Sequence, residues 1–259
     1  MEETSAMCHD ADSAPPVFGP ALTVATATPL ILTGTDGARF AAHLAEPESP
    51  SGLGVLVLPD NRGLSSFYEQ LTVRLAEQGH HSLAVDYYGR TAGLDHRQRP
   101  EFAQMDGVLP HLFALTGDSL YGDIDTGIAQ LRQQVGTVVS LGFCMGGRFA
   151  FATAAERFGL AGVVGLYGSL DPINGAPGPI QFASELTAPI LGLFGGADPD
   201  IPAESVRRFD EALTAAGVPH ELVTYEDAPH SFFDLHQEQH REASADAWAR
   251  ILDFLQRSR

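Results

Sequence analysis

The chain has 259 residues, enough to bury a large core within one domain. Apolar residues make up 44% and charged residues 19%, a balance that suits a globular fold and excludes a disordered one. The formal net charge of −18 excludes a nucleic-acid partner, whose affinity rests on Lys and Arg neutralising phosphates. No lysine occurs anywhere, which also removes P-loop NTPases, PLP enzymes and Schiff-base aldolases. No apolar run approaches the ~20 residues of a membrane span, so no membrane partner is expected. Met1-Glu2-Glu3-Thr4 lacks the basic and apolar regions of a secretory leader, and Cys8 and Cys144 make no disulfide framework. A reducing cytoplasm is the expected location.

Residues 1–20 mix Ser, Ala, Asp and Pro without periodicity and read as a disordered tail, leaving residues 21–259 as one domain. Two β-rich runs, 29–33 and 39–44, flank Gly34-Thr35-Asp36-Gly37 and predict an antiparallel hairpin. Residues 54–59 form a continuous apolar run, the pattern of a strand buried on both faces. Ser65 or Ser66 caps a predicted helix that reaches Gln78 and ends at Gly79. Residues 82–85 predict the next strand, and His80-His81 before it read as surface residues. Residues 91–117 lack periodicity and read as a long functional loop with one short helix.

A helix over 118–134 follows, with Leu120, Ile124, Ile128, Leu131 and Val135 on one face. Then come a strand ending near Phe143, a helix to about Arg157, a buried strand at 161–167 and a turn-rich insert at 169–179. Residues 189–195 predict another strand and 202–216 a helix ended by Gly217. An alternating edge strand at 220–225 and a last helix over 239–256 complete the pattern. Strands alternating with helices at this spacing predict a mostly parallel sheet covered on both faces, in a single domain.

Gly142-Phe143-Cys144-Met145-Gly146-Gly147 has the form of a nucleophile elbow, the strand-to-helix turn of G-x-S-x-G hydrolases, with cysteine at its apex. A thiol there lies at the positive end of a helix dipole, which favours thiolate. Taken alone, the same motif also suits a buried cysteine in a tight connection. In an open parallel sheet functional groups gather at the carboxyl ends of the strands, and there stand Asp60, Asp86 with Arg90, Cys144 and Asp198. His230 follows the edge strand. The order Cys144, Asp198, His230 is the α/β-hydrolase order of nucleophile, acid and histidine. Asp200 competes with Asp198 for the acid's place, and Asp198 is preferred as nearer the strand end.

Four segments, 58–64, 85–90, 142–147 and 195–198 with His230-Ser231-Phe232, occur in the order of the dienelactone hydrolase family, which the chain resembles. The resemblance implies the α/β-hydrolase fold, no cofactor or metal, and a small ester or lactone opened through a thioester on Cys144. It further implies that Asp60, in place of the family's glutamate, contacts the resting thiol. The oxyanion hole falls on the backbone N–H groups of Met145 and Asn61. The family's substrate-binding arginine falls on Arg90, for which a structural pair with Asp86 is the competing reading. The second family arginine is missing, because Asp234 stands at its place, and Arg62 is a candidate to compensate. Tyr88, Phe143 and Phe232, with Phe67 and Phe233, are candidate pocket walls or plain core. His236 and His240 have metal-pair spacing without a third ligand and read as a solvated helix start. A glutaminase-type amidotransferase and a non-catalytic thiol sensor are the alternatives. The expected assembly is a monomer or small homo-oligomer.

Overall fold

The computed structural model describes residues 13–234 and 236–259. Eight strands form one sheet: β1 (Ala25–Thr33), β2 (Arg39–Pro47), β3 (Leu53–Leu58), β4 (His81–Val85), β5 (Thr137–Phe143), β6 (Gly162–Leu166), β7 (Ile190–Gly195) and β8 (His220–Tyr225). The spatial order is β1-β2-β4-β3-β5-β6-β7-β8. β1 pairs antiparallel with β2, and β2 antiparallel with β4; every later neighbour is parallel. The predicted hairpin and all the predicted strands are present. The strands β3, β4, β5, β6 and β7 are buried on both faces, and apart from His81 and Ser82 of β4 and Ser140 of β5 they are almost wholly apolar.

Among the described residues seven α-helices accompany the strands: α1 (Ser66–Glu77), α2 (Gly89–Ala92), α3 (Met105–Phe113), α4 (Gly117–Leu131), α5 (Met145–Ala152), α6 (Ala203–Ala216) and, after the last strand, α7 (Arg241–Arg257). Side chains of successive strand residues point to opposite faces, so single contacts assign each helix to a side. On β4, Ser82 donates its hydroxyl to the Thr72 carbonyl of α1, whereas Leu83 and Val85 lie against Gly127 of α4. Across the sheet Leu56 is in register with both Leu83 and Ser140, and Ser140 bonds Thr153 just past α5 at 2.8 Å. Gly162, in register with Val139 and hence on the Ser82 side, is covered by Phe254 of α7. Helices α1 and α7 therefore cover one face, and α4 and α5 the other.

Three expectations need correction. The helix after Cys144 ends at Ala152, not near Arg157, because the Ala154 carbonyl accepts the N–H groups of Thr187 and Ala188 and Ala155 bridges Leu186. The segment 91–117 holds α3 and a 3-10 turn at Pro100–Ala103 rather than one short helix. The loose reading of residues 1–20 fails for 13–20. There Pro15 and Pro16 are buried, the Ala14 carbonyl accepts from Gln237 at 2.6 Å, and Arg241 stacks over the Phe18 ring at 5.4 Å. Residues 1–12, including Cys8, lie outside the described residues. Among the described residues no helix is long and apolar enough to cross a membrane.

His80 and His81 are buried, not surface residues. His80 Nδ1 lies 2.9 Å from the Ser51 hydroxyl, and burial, helped by Arg259, pushes its pKa from 6.5 down to about 4. Burial also lowers His43 and His81. Between pH 6.5 and about 4 the unfolded chain holds the His80 proton that the folded chain rejects, so stability is full above pH 6.5 and falls as pH drops toward 4. Denaturant unfolding measured from pH 7 to 4.5 should show this slope. His80→Gln should flatten it by roughly 2 kcal/mol over that interval.

Candidate active site

The central turn is built as the sequence pattern implies. β5 ends at Phe143, α5 begins at Met145, and Cys144 between them has φ 54° and ψ −115°, a left-handed-side backbone that side chains avoid. Its N–H donates to the Leu166 carbonyl at 3.0 Å and its carbonyl accepts from Arg148 N–H at 3.1 Å. The turn closes only with glycine on either side. A methyl at Gly142 would strike the Gly146 backbone, and one at Gly146 would strike the carbonyls of Leu58 and Pro59. Cys144 is partly exposed, at the bottom of a cleft.

Two loops bring the imidazole and its acid. Asp198 follows β7 with a buried side chain, and its Oδ2 accepts from His230 Nδ1 at 2.6 Å. A carboxylate only accepts, so the bond assigns the proton to Nδ1 and leaves Nε2 as the other ring nitrogen. The second oxygen of Asp198 accepts the Asp200 backbone N–H at 2.8 Å, so Asp200 supports Asp198 and does not take its place. The Tyr167 ring lies 5.0 Å from the His230 ring, and its hydroxyl donates to buried Asp234 at 2.8 Å. Asp234 thus anchors a cleft wall from behind.

All non-glycine residues with positive φ among the described residues, Cys144, Tyr167, Asn174 and Ser231, line this cleft or adjoin His230. Backbone strain is concentrated where groups must be aimed, as at functional sites generally.

The loop after β3 forms the opposite wall. Asp60 is fully buried; its Oδ1 accepts the Arg62 N–H at 2.9 Å, and Arg62 Nε stands 3.8 Å from Oδ2. Tyr87 and Tyr88 bolt this loop down by donating to the carbonyls of Pro59 (2.9 Å) and Asn61 (2.6 Å). Burial pushes both phenols up, and the negative groups of Asp60, Asp86 and Cys144 add to it, an electrostatic sign that the three share one neighbourhood.

The cleft measures about 610 Å³. It is lined by Cys144, Met145, Asn61 and His230, with Tyr167, Phe149, Leu112, Phe113 and Ile173 as apolar walls. The four expected substrate contacts are elsewhere. Arg90 is clamped by Asp36 (2.9 Å), from the turn between β1 and β2, and by buried Asp123 of α4, which hold it firmly charged. Its competing partner is also wrong: Asp86 is taken by Arg99 in a buried bidentate pair at 2.8 and 3.0 Å. Tyr88 is a loop bolt. Phe143 is fully buried among Phe67, Tyr68, Tyr167 and Phe233, and Phe232 between Tyr167 and Tyr225. Arg62 stays beside Asp60 and does not line the cleft.

The sequence reading missed Arg148, Arg99 and the walls from α3 and the insert. Arg148 directly follows the elbow glycines, which was the available signal. Its guanidinium donates to the carbonyls of Asp171 (2.6 Å) and Pro177 (2.8 Å), pinning the insert that carries Ile173 and Asn174. Asp198, Asp200 and His230 offer metal-ligating atoms within 4.8 Å of one another. The 2.6 Å bond between His230 and Asp198 makes of them an imidazole–carboxylate pair, and no ligand role is needed to explain the grouping. His240 caps α7 and its N–H returns to the His236 carbonyl, a helix start as expected.

A cysteine at a strand–helix elbow, in the same cleft as a histidine paired with an acid at the carboxyl edge of this sheet, is the arrangement of the α/β-hydrolase fold. The comparisons with known proteins make the class specific. The chain belongs to the dienelactone hydrolase family, whose model matches residues 40–258, and so to the hydrolases of esters and lactones. It is 31% identical to a carboxymethylenebutenolidase of Rhodococcus opacus, over 97% of both chains. A Salmonella typhimurium protein provisionally described as a carboxymethylenebutenolidase is 33% identical, over 85% of this chain and 83% of its own. A Klebsiella pneumoniae crystal structure, provisionally described as a dienelactone hydrolase, superposes with a TM-score of 0.78 at 26% identity. That match covers 90% of this chain and 98% of the other.

The clamp on Arg90 gives a testable separation. Arg90→Met should lower stability by roughly 3 kcal/mol, since it leaves Asp123 buried without its cation. KM for a neutral aryl ester should stay within about twofold; thermal unfolding beside steady-state kinetics reads both.

Proposed function

We propose that the protein cleaves small carboxylic esters or lactones through a thioester on Cys144, with His230 as proton carrier and Asp198 as its orienting acid. The observation that carries this reading is the 2.6 Å bond from His230 Nδ1 to Asp198 in the same cleft as the elbow thiol. The thiol proton passes to His230 Nε2 and the sulfur attacks the acyl carbon. The carbonyl oxygen takes the negative charge, stabilised by the backbone N–H groups of Met145 and Asn61. When the intermediate collapses the C–O bond breaks, and the imidazolium returns its proton to the leaving oxygen. A water then gives a proton to Nε2 and adds to the thioester, releasing the acid and restoring the thiol. Asp198 stabilises the imidazolium at each transfer and keeps the tautomer fixed.

Asp60 follows Leu58 and Pro59, whose carbonyls pack against Gly146 of the elbow, and we assign it the place of the family's acid near the thiol. Such a thiol enzyme suits the reducing cytoplasm, where we place it. With Arg90 sequestered, the cleft supplies no arginine at the family's carboxylate position, and neutral esters and lactones are the substrates we favour.

Kinetics with p-nitrophenyl acetate and a small lactone test this. Cys144→Ala should lower kcat/KM by at least about 10³-fold, and Asp198→Asn by about 10² to 10⁴-fold. Asp200→Asn should cost less than about tenfold, since its contact with Asp198 is through its backbone N–H. Hydrolysis that survives Cys144→Ala at the wild-type rate contradicts the proposed chemistry.

A further inference from the structure

A second cavity of about 560 Å³ adjoins the catalytic cleft. The two share Leu112, Leu115, Arg148, Phe149 and Ala176, so one space opens beside the other along α3 and the face of α5. Beyond this shared wall the second chamber is floored by apolar groups, among them Leu120, Ala152, Phe158, Phe182 and Leu186. Of its charged rim, Glu185 is exposed at the edge and the arginines are engaged within the protein. Arg157 stacks on Phe158 with its guanidinium 3.7 Å from the ring centre, and pairs with Asp125 at 3.2 Å. The one charged group at the junction, Arg148, spends its donors on the carbonyls of Ser169, Asp171, Ala176 and Pro177.

From this shared wall we infer that the substrate class is an ester carrying an extended apolar group, whose tail passes over Phe149 and Leu115 into the second chamber. This inference rests on the thioester reading of the cleft. Each chamber alone is within the ~300–1,000 Å³ range of small-molecule sites, so a small lactone leaves the second one unused. A flexible alkyl or aryl tail fits both its apolar floor and its position, because burial of apolar surface is the interaction that this floor offers. Arg148, with its charge answered by carbonyl dipoles, asks nothing ionic of the ligand and so selects against none of the chain's length.

The test measures kcat/KM for p-nitrophenyl esters from acetate to decanoate and for alkyl acetates of matching length. Wild type should gain about threefold per methylene over several methylenes in one of the two series, which also shows whether the acyl or the alcohol side enters the chamber. Ala152→Phe should flatten that slope by filling the floor; Ala155→Leu, on the same wall, provides the readout if the first variant does not fold. A slope flat in both series for wild type, or one that both plugs leave unchanged, overturns the inference. If Cys144→Ala still abolishes acetate hydrolysis in that case, the thioester reading stands without it. Hydrolysis indifferent to Cys144→Ala would remove the reading and the inference together.

Discussion

A cysteine held at φ 54° is the constraint on which the rest of this structure depends. That backbone is unfavourable for any residue with a side chain, and it survives only because surrounding structure fixes both ends of the turn. The sheet register supplies one end: Leu58 lies opposite Gly142 and Phe143 opposite Leu166, so β3 and β6 flank the turn directly. The helix supplies the other, with Gly146 pressed against the carbonyls of Leu58 and Pro59. The same closeness that forbids a side chain at these glycines sets the Asp60 loop beside the thiol. The strain and the site are thus a single feature.

Around that turn, the walls are fastened from behind by polar bonds rather than by pocket-facing charges. Tyr87 and Tyr88 hold the loop after β3, Arg99 holds Asp86 and with it the segment 91–104, Arg148 holds the insert, and Asp234 holds Tyr167. Tyr87, Tyr88, Arg99 and Asp234 are buried and Arg148 is half-buried; an unmade hydrogen bond is costly in such places, so each bond narrows the conformations open to the wall it holds. What faces the cleft is the thiol, the imidazole, an apolar lining and, at its edges, Arg148 and Asp200. The proposed preference for neutral esters rests on this division.

The fold was legible because the central strands are uninterrupted apolar runs whose period leaves no other reading, and because Gly142 and Gly146 bracket Cys144. The order Cys144, Asp198, His230 was legible for the same local reason, each residue standing just past a strand. What escaped depends on partners distant in the chain. Arg90 is claimed by Asp36 and Asp123, 54 and 33 residues away, and nothing near Arg90 in sequence announces either. Arg99 lies in a stretch without periodicity, and the aromatic residues Phe143 and Phe232 carry no mark that separates core from pocket. The end of α5 at Ala152 is set by backbone bonds from Thr187 and Ala188, a tertiary claim that overrides a good helical run.

The central claim is that catalysis passes through an acyl group on the elbow sulfur, and the most direct measurement is to find that group. The wild-type enzyme mixed with excess p-nitrophenyl butyrate, quenched in acid during turnover and mapped by peptide mass spectrometry, should carry one butyryl group on the peptide containing Cys144. Neutral hydroxylamine should remove it, as it does a thioester. Steady turnover with an unmodified Cys144 peptide, or an acyl group on another side chain, would contradict the account.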